Sequence, residues 1–249
     1  MNNISTRSLP RARVLEFIEG LNDSTEYKWS SLYITPGSSS TEVKKVVKSL
    51  DVDSGRNEEI IGIFDRSKTG MVIFRYDEHL CIILPPLPVR ANIISPSLNA
   101  GPLLTILQTD YHIAIVLVRL GSYGIGVCQG EKLITSKVGT GLIHGRHKKG
   151  GSSAHRFERH RDKQIEYFLN RVCQRTREQL EPHLKSLDYL LFGGSRTAVQ
   201  LLQKQCPFIG KLETETLPPL FDIPEPCQTV LEKAVSHLWS SMVIEWTED

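Results

Sequence analysis

Hydrophobic and polar residues follow helix and strand spacings in turn through the first hundred residues. PRARVLEFIEG (10–20) has apolar residues at helical spacing between a proline and a glycine, and it predicts a helix. WSSLYITPG (29–37) predicts a strand, and TEVKKVVKSL (41–50) predicts a helix capped by Thr41. GMVIFRYDEHLCIILPP (70–86) predicts a β-hairpin. The first part of the chain is therefore predicted to be a small α/β unit.

Five prolines between residues 85 and 102 interrupt this pattern, because neither helix nor sheet continues easily through them. We place a domain boundary there, which gives domains 1–102 and 103–249. In the second domain YHIAIVLVRL, SYGIGVCQG, EKLITSKV and LDYLLF predict strands, and RTAVQLLQK and CQTVLEKAVSHLW predict helices before a last strand, SMVIEW. Strands that alternate with helices predict a mixed α/β domain.

A long helix is predicted between the third and fourth strands of that domain. One side chain in every three or four falls on a single stripe that would pack against the sheet: Phe157, Ile165, Phe168, Leu169, Val172, Thr176 and Leu180. The opposite face is polar and basic. The helix is thus expected to pack on one side and to present charge on the other.

Composition narrows the class of protein. A hydrophobic content of 40% and a charged content of 23% are typical of a globular protein, and they exclude a disordered or fibrous chain. The sequence has neither a signal-peptide pattern nor an apolar run long enough to span a bilayer, so we expect a cytoplasmic protein. The five cysteines are odd in number and widely spaced, which predicts reduced, mostly buried thiols.

Cationic charge is concentrated in one window, residues 144–163. This window holds seven Lys or Arg residues against two acidic ones, a local net charge of +5 in a chain of net charge +2, which leaves −3 for the remainder. Four of the eight histidines lie there as well. A charge run of this kind is either a solvated surface or a contact for a polyanion, and nucleic acid is the partner that it favours.

Two adjacent glycines lie inside the basic window, in the sequence RHKKGGSSAHRF (146–157). Because glycine has no Cβ, the backbone at Gly150 and Gly151 can reach positive φ and bring its N–H groups close to another molecule. The flanking Arg and Lys side chains would neutralise phosphates without reading bases. Phe157 is the one aromatic residue here and falls on the packed stripe, so base stacking is not favoured. We expect a contact with an RNA backbone or with structured RNA.

The segment GRHKKGGSSAHRFERHRDKQ resembles the region around the Gly-Gly-Gln loop of eukaryotic and archaeal class-I peptide chain release factors. The order of elements from about 105 to 247 is similar to the middle domain of that family, and LDYLLFGGSRTAV resembles its strand-glycine-helix step. The Asn-Ile-Lys-Ser stop-codon element and the third domain of those release factors are not found in the sequence. The chain therefore looks more like the bacterial branch of the Vms-like release factors and peptidyl-tRNA hydrolases. The resemblance implies a mixed, RNase H-like sheet flanked by helices, with a protruding basic glycine loop at 145–155.

The resemblance also implies an activity, hydrolysis of peptidyl-tRNA on stalled large ribosomal subunits, and a set of site residues. Gly150, Gly151, Ser152 and Ser153 would be catalytic. The residues expected to contact ribosomal RNA or peptidyl-tRNA are Arg146, Lys148, Lys149, His155, Arg156, Arg159, His160 and Lys163. We expect no cofactor, no metal, no membrane and no DNA partner. One departure matters: Ser152 stands where the family has its glutamine, and residues 130–163 contain no glutamine.

Other functions remain open at this stage. A ribosome-binding or tRNA-binding factor that has lost the catalytic glutamine is the main alternative to a hydrolase. A metal site at His144, His147, His155 and His160 is disfavoured, since the spacing fits no zinc pattern and cations surround it. A nuclease is disfavoured because Glu158 and Asp162 look like a surface pair on a basic helix. The Gly193-Gly194-Ser195 step is more typical of a helix N-cap than of a phosphate site.

Overall fold

The computed structural model describes residues 3–22, 28–48, 54–77, 79–145, 152–221 and 223–247. It divides into two compact units. The first comprises Met1–Thr109 together with Ser236–Asp249, and the second comprises Asp110–Val235. Each unit is built around its own six-stranded sheet.

The sheet of the first unit has the order β1-β12-β4-β3-β2-β5, and every neighbouring pair is antiparallel. Most residues of its central strands are apolar, and successive side chains point to opposite faces of the sheet. Both faces therefore carry buried apolar residues. The strands are β1 (Asn3–Leu9), β2 (Trp29–Ile34), β3 (Met71–Tyr76), β4 (His79–Leu84), β5 (Ile93–Ser95) and β12 (Ser241–Thr247).

Helices cover both faces of this sheet. On one face, residues of α2 (Ser40–Lys48) and α3 (Ser54–Arg66) pack with Ile73, Ile82 and Ile244. On the other face, residues of α1 (Arg11–Asn22) and α4 (Gly101–Gln108) pack with alternate residues of the same strands. The predicted small α/β unit is confirmed.

The sheet of the second unit is mixed. Its order is β10-β9-β6-β7-β8, and β11 also pairs with β9. β6 (His112–Arg119), β7 (Ser122–Gln129) and β8 (Lys132–Thr140) form an antiparallel meander, whereas β9 (Tyr189–Gly194) lies parallel to β6. The short strands β10 (Glu215–Thr216) and β11 (Leu220–Phe221) are parallel to β9. An antiparallel meander continued by parallel strands is the mixed sheet that was predicted, so the fold class is confirmed.

One face of this second sheet is covered by α5 (Ser152–Leu180) and α6 (Arg196–Gln205). A 3₁₀ turn, Glu181–His183, follows α5, and the short helix α7 (Pro207–Gly210) follows α6. On α8 (Gln228–Leu238), Leu231 packs close to Gly124 and Gly126 of β7. Residues of α5, α6 and the sheet form one continuous apolar core. This core fixes the second half of α5 against the sheet.

Several features differ from the sequence predictions. The last strand, assigned above to domain 103–249, pairs with β1 and β4 of the first sheet, and the boundary lies between Thr109 and Asp110. A hydrophobic strand pattern does not specify its partner strand, which is why the pattern missed this pairing. Strand β1 and helix α3 were not predicted. The cap of α2 is Ser39, not Thr41: Ser39 and Glu42 exchange side-chain to backbone hydrogen bonds of 2.8 and 3.2 Å in a capping box.

The cysteines also differ from the prediction of five reduced thiols. Cys173 and Cys206 form a disulfide across a sequence separation of 33 residues. The remaining three are free, with Cys81 and Cys128 buried and Cys227 exposed. Wide spacing in the sequence hides a pair that helix packing brings together. Among the described residues, no helix is both long and apolar enough to cross a membrane.

Candidate functional site

Helix α5 carries the described part of the candidate site. It has 29 residues, which corresponds to a length of about 43 Å at the usual rise per residue. Its second half is anchored in the core by Phe168, Leu169, Val172, Thr176 and Leu180. Residues 155–160, in contrast, are all exposed. The helix therefore has a packed base and a solvent-exposed beginning.

The exposed beginning of α5 is cationic. Arg156, Arg159, His160 and Lys163 are all exposed and follow the spacing i, i+3, i+4 and i+7, so they share one face of the helix. His155 is 82% exposed, and its Nδ1 lies 3.8 Å from a carboxylate oxygen of Glu158. That contact is too exposed to stabilise the helix much. The structure thus places all five described RNA-binding candidates at one end of α5, and their contact with RNA stays a prediction.

Phe157 does not belong to the packed stripe. Its side chain is 53% exposed, whereas the prediction placed it against the sheet. The stripe becomes partly buried only at Ile165 and fully buried at Phe168. Helical spacing gives the direction of a side chain but not whether a neighbouring element is present, and this part of the prediction was wrong for that reason. An aromatic ring therefore lies among the cations of the candidate site.

The chain that leaves β8 is tied back onto α5. The backbone N–H of His144 donates to Oε1 of Gln164 at 3.1 Å, and Nε of Arg161 donates to the carbonyl oxygen of His144 at 3.0 Å. The His144 and His160 rings lie with their centroids 6.1 Å apart. Both backbone groups of His144 are thus held by the third and fourth turns of α5, on the chain segment that leads into the basic window.

A second tie lies at the end of β8. Nη2 of Arg171 donates to the carbonyl oxygen of Thr140 at 2.7 Å. At the next residue, Gly141, a Cβ would come within 2.6 Å of both Arg171 Nη2 and Phe168 Cδ2. The chain therefore approaches α5 so closely here that any residue with a Cβ would force Phe168 and Arg171 to shift. We call segment 140–144 the tether. It runs alongside α5, from Arg171 at residue 140 to Arg161 at residue 144.

The tether residues were not recognised in the sequence. Arg161 was counted with the basic window, and nothing in the sequence distinguishes a side chain that binds phosphate from one that binds a backbone carbonyl. Gln164 and Arg171 gave no local signal, because their partners lie twenty and thirty-one residues earlier. Such pairs appear only when β8 and α5 are packed together.

The remaining predicted site residues lie wholly or partly outside the described part of the chain. Arg146, Lys148, Lys149, Gly150 and Gly151 lie outside the described residues, and so does His147. Ser152 and Ser153 are the first two residues of α5, and their side chains are outside the description as well. The catalytic role predicted for the glycines and serines therefore stays a prediction.

The structure bears on two alternative sites, a metal site and a phosphate site at the Gly193-Gly194-Ser195 turn. Within the part of the chain that the structure describes, no group of three or more His, Cys, Asp or Glu residues is placed to hold a metal ion. At the glycine turn, Ser195 is the N-cap of α6 and its hydroxyl accepts from the N–H of Ala198 at 3.5 Å. Gly194 has φ of +104°, and a Cβ there would meet the carbonyl oxygen of Val118. This turn serves packing and capping, which confirms the N-cap interpretation.

The electrostatics of the packed half of α5 differ from those of its exposed beginning. Nη1 of Arg175 donates to Oε2 of Glu178 at 2.6 Å, and this hydrogen bond lowers the pKa of Glu178 from its usual value. The acidic residue there is thus neutralised by a cation of its own helix. Among the ion pairs that join described residues, only the contact of His155 with Glu158 involves the exposed beginning of α5, so Arg156, Arg159 and Lys163 have no such acidic partner there.

Sequence comparison places the chain among release factors. The profile of the family described as Actinobacteria/chloroflexi VLRF1 release factor matches residues 111–244, more than half of the chain. Peptide chain release factor subunit 1 of Methanocaldococcus jannaschii is 32% identical over 117 residues, which cover 45% of this chain and 28% of that protein. The protein of the same description from Archaeoglobus fulgidus is 25% identical over 121 residues, with coverages of 47% and 30%. The chain matches less than a third of the length of these relatives.

Solved structures of related description align only loosely. The archaeal translation termination factor aRF1 has a TM-score of 0.41 at 17% identity, covering 92% of this chain and 70% of that one. The Vms1 mitochondrial localization core has a TM-score of 0.39 at 12% identity, covering 81% and 80%.

Proposed function

The chain belongs to the Actinobacteria/chloroflexi VLRF1 release factor family, and from this premise we propose that it hydrolyses the peptidyl-tRNA ester of stalled nascent chains on the large ribosomal subunit. The protein would act in the cytoplasm, with ribosomal RNA and peptidyl-tRNA as its partners and with no cofactor, metal or DNA. The bond that breaks joins the nascent peptide to the terminal ribose of the tRNA, and water supplies the hydroxyl group.

One observation carries the proposal. Helix α5 starts immediately after the Gly150-Gly151 pair, its first turns expose a cluster of cations, and its second half is fixed in the core. The core residues from Phe168 to Leu180 fix the helix, and the tether fixes the chain on the other side of the basic window. Phosphate contacts by Arg156, Arg159 and Lys163 would position this end of α5 on RNA without reading its sequence. A site held from both sides suits a reaction that depends on positioning.

The chemical step needs water at the ester carbonyl and a donor for the oxyanion that develops. We propose that a backbone N–H of the Gly150–Ser152 segment donates to this oxyanion, a contribution of about 3 kcal/mol in comparable sites. Glycine lets the main chain approach the ester more closely than any residue with a Cβ. The Ser152 hydroxyl or the His155 imidazole would orient the water, in place of the glutamine amide.

The direct test is a release assay. Purified large subunits that carry peptidyl-tRNA with a labelled nascent peptide are incubated with the protein, and free peptide is separated from peptidyl-tRNA. The proposal expects release that depends on the protein and saturates with its concentration. Binding of the protein to the subunits without any release would refute hydrolysis.

Substitution of Gly151 tests the backbone role. Because α5 begins at Ser152, proline at 151 lies before the first helical residue and removes no hydrogen bond inside the helix, but it removes one N–H and fixes φ. We expect Gly151→Pro to reduce release by about a hundredfold, the size of effect seen when one oxyanion donor is lost, with binding to subunits nearly unchanged. Gly151→Ala keeps the N–H and is the matched control, with an intermediate loss. Equal release by the proline variant and the parent would remove this segment from the mechanism.

The second candidate function is ribosome or tRNA binding without hydrolysis, and the serine at position 152 favours it. Both functions require the cationic face of α5, so binding alone does not separate them. Ser152→Gln does: if the segment retains hydrolytic geometry, restoring the amide should raise the release rate. Release that is absent in the parent and appears in Ser152→Gln would identify the parent as a binding factor. A rate that is unchanged or lower would mean that water is oriented by another group.

A further inference from the structure

An open cleft of about 450 Å³ lies beside the disulfide of the second unit, on the flank of α5 that faces α7. Helix α5 supplies one wall, and α7 with the residue that follows it supplies the other. The side chains that give the cleft its chemistry are Asn170, Cys173, Gln174, Arg177, Phe208 and Lys211. One cysteine of the disulfide, two cationic residues and two amide residues therefore line one concave surface.

The two sulfurs of the disulfide differ in access. Cys206 is 1% exposed and is part of the buried core, whereas Cys173 is only partly buried and lines the cleft. Thiol–disulfide exchange begins with attack of a thiolate on one sulfur, with the other as leaving group. A small thiol in the cleft would reach Cys173, and Cys206 would leave.

The charges of the cleft favour an anionic visitor. The Arg177 guanidinium lies 5.6 Å from the centroid of the Phe208 ring, and its Nε lies 3.7 Å from Oε1 of Glu181. Arg177 and Glu181 are each about 60% exposed, so this pair is screened by water and leaves the guanidinium able to attract another anion. Lys211 adds a second cation on the opposite wall. Thiolates and carboxylates both carry the complementary charge.

We propose that this cleft is a site of thiol–disulfide exchange for low-molecular-weight thiols that carry carboxylate groups. The thiolate of the first small molecule forms a bond to Sγ of Cys173, the protein S–S bond breaks, and its electron pair passes to Sγ of Cys206, which takes up a proton. A second thiolate then attacks the sulfur of the small molecule in this mixed disulfide. Cys173 leaves and is protonated, so the protein gains two electrons and the small thiol is released as its disulfide.

This site is independent of the proposed hydrolysis, since it needs neither RNA nor the glycine pair. It does act on the helix that carries the candidate site, because Cys173 lies on α5 between the buried residues Val172 and Thr176. Exchange would remove the covalent link between α5 and the corner of α6 and α7 while the apolar core remains.

The first experiment compares a reductant that carries carboxylates with one whose attacking thiolate is its only charge. The protein, with Cys227→Ser to remove the exposed free thiol, is reduced with glutathione or with 2-mercaptoethanol at low ionic strength, and free thiols are followed by alkylation and intact mass. We expect Arg177→Gln combined with Lys211→Gln to slow reduction by glutathione about tenfold and to slow reduction by 2-mercaptoethanol only about threefold, because the thiolate of 2-mercaptoethanol carries no carboxylate. Lys204→Gln, on an exposed position of α6, is the matched control and should leave both rates unchanged.

The second experiment identifies the sulfur that is attacked. In the same Cys227→Ser background, Cys206→Ser incubated with oxidised glutathione should carry one glutathione on Cys173, whereas Cys173→Ser should carry none on Cys206. Cys81 and Cys128 do not interfere, because burial raises the pKa of both thiols, that of Cys128 to about 12. The proposal is overturned if the charge variants reduce at parental rates with glutathione, if Cys206 is the residue modified, or if the parent shows no Cys173–Cys206 disulfide after oxidation.

Discussion

At the scale of single residues, Gly141 is the position where a small change should have the largest effect on the site. A Cβ there would lie 2.6 Å from the ring of Phe168, which is buried, and from Arg171 Nη2, which holds Thr140. We expect Gly141→Ala to lower the free energy of unfolding by about 1 to 3 kcal/mol, as overpacking typically does. Chemical denaturation followed by circular dichroism measures this change.

Gly145 offers the matched control for this substitution. It is the residue that follows the tether, and an added Cβ there would have no atom of the described residues within 4 Å. Gly145→Ala should therefore leave the free energy of unfolding unchanged within about 0.5 kcal/mol. Equal destabilisation by the two alanines would mean that the tether does not pack against Phe168.

The cysteines and Phe157 mark the limit of residue-level prediction. Burial of Cys81 and Cys128 follows from their places in apolar strands, and it was predicted. The Cys173–Cys206 disulfide was not, because α5 and α6 must pack before the two residues meet. Phe157 has the right helical spacing for the core but lies in a part of α5 where residues 155–160 are all exposed. Spacing therefore predicts direction reliably, and contact only where a second element is known.

At the scale of elements, periodicity predicted most of the helices and strands. The hairpin of β3 and β4, the meander of β6 to β8 and the long helix α5 all correspond to patterns in the sequence. β1 was missed because NISTRSL is largely polar, in keeping with its exposed position at the edge of the first sheet. The tether was missed for another reason: its hydrogen bonds join backbone groups to side chains of a different element.

The tether gives a prediction that belongs to this scale. Gln164→Ala removes the acceptor for the His144 N–H and leaves the cations of α5 in place. If the tether positions the reactive segment, kcat for release should fall by about tenfold while KM changes little, because binding is untouched and geometry is lost. Gln203→Ala, an exposed glutamine of α6, is the control and should behave as the parent. A rise in KM alone would assign Gln164 to binding instead.

At the scale of the whole molecule, the sequence predicted two units but not which strands complete them. The mixed second sheet follows from a strand meander and a crossover helix, both visible as patterns. The first sheet closes with β12, more than 150 residues after β4, and antiparallel pairing over such a distance leaves no local trace. The family profile, residues 111–244, likewise crosses the boundary at 235 and 236 and ends within β12.

The charge distribution of the whole molecule yields the last prediction, which concerns binding rather than chemistry. A net charge of +2 would suggest weak attraction to RNA, but a local charge of +5 in residues 144–163 lies against −3 elsewhere. Counterion release depends on the phosphates that are neutralised locally, so log Kd should still rise steeply with log salt concentration. Replacing one phosphate-binding cation should reduce that slope by about one.

Lys163→Gln and Arg156→Gln are the informative changes, because both side chains are exposed on the cationic face of α5. Each should weaken binding to large subunits and lower the slope by about one, measured by sedimentation across a salt series. Lys185→Gln removes the same charge from an exposed position in the turn that precedes β9, and it should lower affinity slightly through net charge while leaving the slope unchanged. If all three variants lose slope equally, RNA is bound through the general charge of the protein, and the cationic face of α5 has no special role.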